Sequence, residues 1–224
     1  MGYLREELQA LRNKLLEMSR LVESSINLSM EAVIHSDKEA VATVLRNESV
    51  INQMELGIDE IAFRLLALQH PVAVDLRFVM MAMKINNNLE RMGDIAQNIS
   101  QYALSLLEAS KPAPCVDIPH MARLAQEMVQ NSLDAFVRRD VELAKKVLRS
   151  DDEVDTLRDR MYSEIRKYIE EESSRVHPGL EYIFIARGLE RLADHATNIA
   201  EDVLFFVQGV DIRHNASRNC QEIR

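Results

Sequence analysis

Apolar residues recur at helical spacing along nearly the whole chain. Leu8, Leu11, Leu15, Met18 and Val22 open the pattern, and the stretch from Leu4 to about His35 reads as one amphipathic helix. Ser36-Asp37 supplies a cap for a second helix. That helix runs to about Gln69, where His70-Pro71 stops it, because a proline ring disfavours helical geometry in the residue before it. A third helix follows from near Ala73 to about Ser110. The segment from Lys111 to Pro119 is the one stretch rich in breakers, so the boundary between domains falls there. The expected organisation is a first bundle over 1–110, a linker over 111–119, a second bundle over 120–209 and a loose tail over 210–224 that lacks an apolar period.

The second half repeats the first. Asp37, Val44-Leu45-Arg46, Glu48, Ile51 and Met54 return 103 residues later as Asp140, Val147-Leu148-Arg149, Asp151, Val154 and Leu157. The phrase from Leu89 to Ile99 returns 100 residues later, from Leu189 to Ile199, with Glu90 and Asp94 kept as Glu190 and Asp194. His70-Pro71 matches His177-Pro178 at an offset of 107, which predicts a third helix seven residues shorter at its start in the second half. Ile85, Leu89, Met92, Ala96, Ile99, Ala103 and Leu106 alternate spacings of four and three, as do Ile185, Leu189, Leu192, Ala196, Ile199, Val203 and Phe206. A period of 3.5 implies coiled packing of near-parallel or antiparallel helices. The predicted fold is therefore all-α: two tandem, sequence-repeated antiparallel three-helix bundles, each a rod about 45 Å long at 1.5 Å per residue. Met80, Met81 and Met83 read as core fillers.

Composition narrows the class. The chain has 224 residues, 47% hydrophobic and 28% charged, the balance of a globular protein. Its net charge of −9 argues against nucleic acid, which is held by clustered Lys and Arg, and favours cations or basic partners. The charged residues interleaved with leucine from Met1 to Met18 do not make a secretory signal, and no apolar run nears the roughly 20 residues of a membrane span, so the chain reads as cytoplasmic. Cys115 and Cys220 offer neither a disulfide framework nor zinc spacing.

On the heptads, Glu90 takes position b and Asp94 position f, outside the seam, and Glu190 and Asp194 fall identically. Two carboxylates one turn apart repel by a few tenths of a kcal/mol. Arg91, Arg187 and Arg191 lie three residues from one or other carboxylate and give the plain reading, a solvated charged face. Glu48 with Asn52, and Asp151 with Asp155, are further oxygen-bearing pairs at a spacing of four, matched at offset 103. If the second and third helices are neighbours, each bundle presents four oxygen side chains in one groove. Carboxylates without soft sulfur suit hard or borderline cations such as Mg, Mn or Fe. Glu55 and Asp59 become Arg158 and Tyr162 in the repeat and read as ordinary surface. His195, whose counterpart is Ile95, reads as a helix-flank histidine; Asn98 and Asn198 read as supporting hydrogen-bond groups, and Glu201 as a weaker candidate.

The segment from Leu66 to Arg77, followed by the two copies of the repeated phrase within 89–99 and 186–201, resembles the PhoU-type phosphate-uptake regulators over nearly the whole chain. The resemblance implies a cytoplasmic, commonly dimeric regulator. It would restrain phosphate uptake and the phosphate-starvation response through a phosphate ABC transporter ATPase and a sensor histidine kinase, meeting the membrane only through those partners. It also implies metal clusters, with Fe, Mn, Mg or Zn as the divalent or ferric ion, on paired acidic motifs that match Glu90 with Asp94, Asp151 with Asp155, and Glu190 with Asp194. Asn52 stands where the family pattern expects a carboxylate, which predicts a weaker first site, and Gly188 stands where asparagine is common. Two alternatives stay open. One is a carboxylate-bridged di-metal enzyme, although the Glu-x-x-His pairs of bundle enzymes are absent from the sequence. The other is a metal-free adaptor whose acidic grooves dock basic segments.

Overall fold

The computed structural model describes residues 2–109, 114 and 116–209. Six long helices follow the apolar pattern: α1 Gly2–His35, α2 Lys38–Gln69, α3 Ala73–Ala109, α4 Ile118–Arg138, α5 Val141–Glu171 and α6 Val176–Gln208. The fold is all-α, with α1 to α3 and α4 to α6 forming two repeated antiparallel three-helix bundles. Cys115, Cys220, the tail 210–224 and residues 111–113 of the linker lie outside the described residues. No helix among the described residues is long and apolar enough to cross a membrane.

The ends of these helices are written locally. Asp37 Oδ1 accepts from the backbone N–H of Glu39 at 2.8 Å and of Ala40 at 3.1 Å. Its repeat, Asp140, does the same for Glu142 and Leu143, both at 3.0 Å. Each carboxylate satisfies two amides that an α-helix leaves without internal partners. His70 closes α2 in the left-handed region at φ 44°. The match of His70-Pro71 to His177-Pro178 misleads, however. Pro71 precedes α3, whereas Pro178 lies in the first turn of α6, where a missing amide hydrogen costs nothing. Consequently α6 opens at Val176, three residues after the position equivalent to Ala73 rather than seven, and a 3-10 turn at Ser173–Arg175 precedes it.

The expected stripe is buried: Ile85, Leu89, Met92, Ala96 and Ile99 are inaccessible, as are Ile185, Leu189, Leu192, Ala196 and Ile199. Met81 fills the core, but Met80 faces outward, 48% exposed, so it is not a core filler. The two bundles are not separate rods. One hydrophobic core runs through both, because α3 and α6 each bury a second face against the other.

These two helices run antiparallel and are related by a local twofold. Lys84 Nζ donates to Asp202 Oδ1 at 2.8 Å; at the equivalent place across the axis, Tyr102 stacks on Phe184 with centroids 5.1 Å apart. Nearer the axis, Nδ1 of His195 lies 2.9 Å from Asn88 Oδ1, and the mate of that pair is Ile95 against Gly188. A Cβ on Gly188 would stand 2.8 Å from Ile99 Cγ1, so the absent side chain is what lets the bundles close. Gly188 is thus explained by packing between the repeats.

Gly188→Leu is expected to lower stability by about 1–3 kcal/mol, the usual cost of overpacking a filled interface. Gly57, with nothing within 4 Å of a built Cβ, is the control. Gly57→Ala should raise stability by about 0.5–1 kcal/mol from helix propensity alone, and urea denaturation of the two variants checks both signs.

Candidate metal centres on the bundle faces

The first cluster sits where α2 packs along α3. Gly93 permits close contact there, since its Cβ would stand 3.0 Å from Ile51 Cδ1; the repeat has the complementary exchange, Ala193 with the smaller Val154. Glu90 was expected on the outer surface, yet its side chain is only 15% exposed and that of Asp94 35%. Position b is covered because α2 lies beside it. Across from them on α2, Asn52 Nδ2 donates to Glu48 Oε1 at 2.5 Å. Asn52 Oδ1 and Glu90 Oε2 are buried without a hydrogen-bond partner. Arg91 offers only loose ion pairs, 3.4 Å to Glu90 Oε2 and 3.7 Å to Asp94 Oδ2. Desolvation, then the charge of Asp94, with Glu55 and Glu48 behind it, raises the Glu90 pKa against the opposing pull of Arg91.

Glu55 belongs to this cluster, contrary to the sequence expectation. Its pKa is raised by desolvation first and by Asp59 second, with Asp94 adding and Arg91 opposing. Asp59 is fixed by Asn86, whose Nδ2 donates to Asp59 Oδ1 and to the Glu55 carbonyl, both at 3.0 Å. The signal was present in the spacing: Glu48, Asn52, Glu55 and Asp59 continue one row along α2.

The second cluster, between α5 and α6, holds Asp151, Asp155, Glu190 and Asp194 around a cation the sequence did not flag. Arg158 Nη1 donates to Asp155 Oδ1 at 2.7 Å and to Glu190 Oε1 at 2.8 Å, while its Nε and Nη2 reach Asp159 Oδ1 at 3.0 and 2.9 Å. Desolvation opposes the Arg158 charge, but hydrogen bonds to Asp159 and Glu190 more than offset it and raise its pKa. Asp194 opens to solvent on its outer side and is crowded on the other. Desolvation, then Glu190, Asp151 and Asp155, push its pKa to about 6. Asp151 is raised likewise, by desolvation first and then by Asp155.

The remaining candidates lie elsewhere. His195 is half-buried between α3 and α6, and desolvation, then Arg191 and Arg91, lower its pKa to about 4. Asn198 and Glu201 line a groove between the same helices with Asn87 and Asn88, while Asn98 is exposed.

Among the described residues, no three His, Cys, Asp or Glu side chains already converge to hold a metal ion, so a cation would require the carboxylates to turn toward one another. The donor set of the first cluster nevertheless fits one. Glu48, Glu55, Glu90 and Asp94 are all oxygen donors, and two buried oxygens lack hydrogen-bond donors. The second cluster fits less well, because Arg158 already occupies its centre.

The PhoU domain model matches residues 15–103 and 118–203. The "Phosphate-specific transport system accessory protein PhoU homolog" of Zymomonas mobilis is 39% identical over 204 residues, 91% of this chain and 86% of that protein. The "Phosphate-specific transport system accessory protein PhoU" of Escherichia coli is 32% identical over 213 residues, 95% of this chain and 88% of that protein. The crystal structure of PhoU from Pseudomonas aeruginosa superposes with a TM-score of 0.89 at 38% identity, over 92% of this chain and 99% of that one. The phosphate transport system regulatory protein PhoU from Streptococcus pneumoniae gives 0.83 at 28% identity, over 93% and 98%. Both repeats match the same domain, and with them the chain belongs to the PhoU domain family.

Proposed function

We propose that this protein is a non-enzymatic accessory regulator of a phosphate transport system. It works in the cytoplasm as an adaptor, commonly a homodimer, between a phosphate ABC transporter ATPase and a sensor histidine kinase, and it restrains uptake and the starvation response. The observation that carries this reading is a half-buried acidic cluster at the equivalent place on each bundle of a fold shared with named phosphate-transport accessory proteins. A surface that concentrates like charge is suited to holding a cation or a partner.

In the metal-bound form, Glu48, Glu55, Glu90 and Asp94, with the Asn52 carbonyl, would hold the ion in the first bundle. Asp151, Asp155, Glu190 and Asp194 would do so in the second. The bound Fe, Mn, Mg or Zn would supply the positive charge that these carboxylates lack. The two sites are unequal, in the opposite order to that expected from Asn52. Glu55 restores the missing charge one turn along α2, while Arg158 neutralises part of the second cluster.

Elemental analysis of protein purified without chelator is expected to find metal that Glu90→Ala with Asp94→Ala removes. Arg158→Gln should increase the amount bound; stoichiometry indifferent to all three substitutions would sink the assignment. The charge crowding has a pH signature in chelated protein. Asp194 has a folded pKa above its unfolded one, so its contribution to stability is lost as pH rises from about 4 through about 6. Asp194→Asn should therefore raise Tm at pH 7.5 and raise it much less at pH 4.5. For the adaptor role, co-purification with the kinase and the transporter ATPase is the expected result, and absence of both counts against it.

A further inference from the structure

The outer face of α2 in the first bundle carries large apolar side chains where a solvated helix face should be polar. Leu56 is 69% exposed and Phe63 57%, on the side of α2 opposite the buried Ile58, Ala62 and Leu65; Leu68, near the end of the helix, is 66% exposed. With Asp59, Glu60, Arg64 and Ala67 they line a shallow groove of about 600 Å³. Isolated exposed apolar residues are ordinary on a protein surface, but three large ones, one of them aromatic, lining a single groove among charges are not.

The repeat supplies an internal control. At the matching offset of 103, Leu56, Phe63, Ala67 and Leu68 become Asp159, Arg166, Glu170 and Glu171. These are exposed charges at the same place in the same architecture. The bundle therefore folds without an apolar row at that position, and the row in the first bundle calls for an occupant.

Charge selects it. Asp59 belongs both to this groove and to the acidic row of the first cluster, and Glu60 projects from the same face. Among the described residues, Arg64 is the one cation lining the groove, and it is paired with Glu7 at 2.7 Å. A second copy packed face to face would set Asp59 and Glu60 against their like, and an anionic lipid surface would meet the same repulsion. An amphipathic helix with apolar anchors and Lys or Arg beside them matches both features. We propose that this face of α2 docks such a basic amphipathic helix from a partner protein. The inference rests on the adaptor reading and names the chemistry of the segment it captures.

The probe is a fluorophore-labelled synthetic helix of about five turns, with leucines on one face and lysines flanking them, titrated into the full chain in chelator. Saturable binding is expected. It should weaken at least about tenfold in Leu56→Ser with Phe63→Ser, which removes central apolar anchors, and fall with added salt. Arg166→Ser on α5 should leave it unchanged. Both substituted side chains are exposed, so an unaltered thermal melt shows that the double variant folds. Equal affinity for the double variant, or equal binding of a peptide with glutamates in place of the lysines, would overturn the proposal. So would sedimentation showing a wild-type dimer that the double variant dissolves, which would make the face a self-association surface. Kinase and transporter ATPase co-purifying equally with wild type and double variant would also overturn it while leaving the adaptor role intact. Their absence from the wild type would fail only that role, and the peptide titration would still decide the docking face.

Discussion

The close antiparallel packing of α3 on α6 is the constraint on which the rest of the molecule depends. Each helix must bury one face in its own bundle and another against its copy, so little of either surface is left to solvent. Gly188 sets the approach on one side of the local axis, and its mate position is filled by the hydrogen bond of Asn88 with His195. Once α3 and α6 are fixed in this way, α2 and α5 take the outer places. Each acidic cluster forms in the angle between an outer helix and a central one.

Duplication explains why the two halves can differ so far without loss of fold. The central helices keep the phrase that contains Glu90 with Asp94 and Glu190 with Asp194, because those residues are tied to a buried stripe. The outer helices have diverged where their side chains face away from the axis. On α2 the divergence produced Glu55 beside the cluster and an apolar row beyond it; on α5 it produced Arg158 inside the cluster and a charged row beyond. A fused pair of repeats is free to specialise in this way, whereas two identical subunits are not.

Electrostatics follow from burial rather than from the count of charges. Glu90 and Asp194 are crowded by like charge while partly withdrawn from water, and their pKa values rise. Arg158 shows one means by which the chain itself relieves such repulsion.

The helices and most of their ends were legible in the sequence. Capping by Asp37 and Asp140 is settled by neighbours two or three residues away, and the heptad stripe needs only the geometry of one helix. The repeat was legible too, and with it the pairing of Glu90 with Asp94. Relations that cross between helices were not. His195 looks like a flank residue until α6 is laid on α3 and brings it to Asn88; Glu55 and Arg158 look like ordinary surface until α2 and α5 are placed; and His70-Pro71 seems to mark the same boundary as His177-Pro178 although only one of them ends a helix. Local periodicity and capping were therefore fixed by the sequence alone, because their energies are set within one or two turns. The depth of each carboxylate, the partner of each charge and the fusion of the bundles were decided by tertiary packing, because desolvation and Coulomb terms depend on neighbours tens of residues away in the chain.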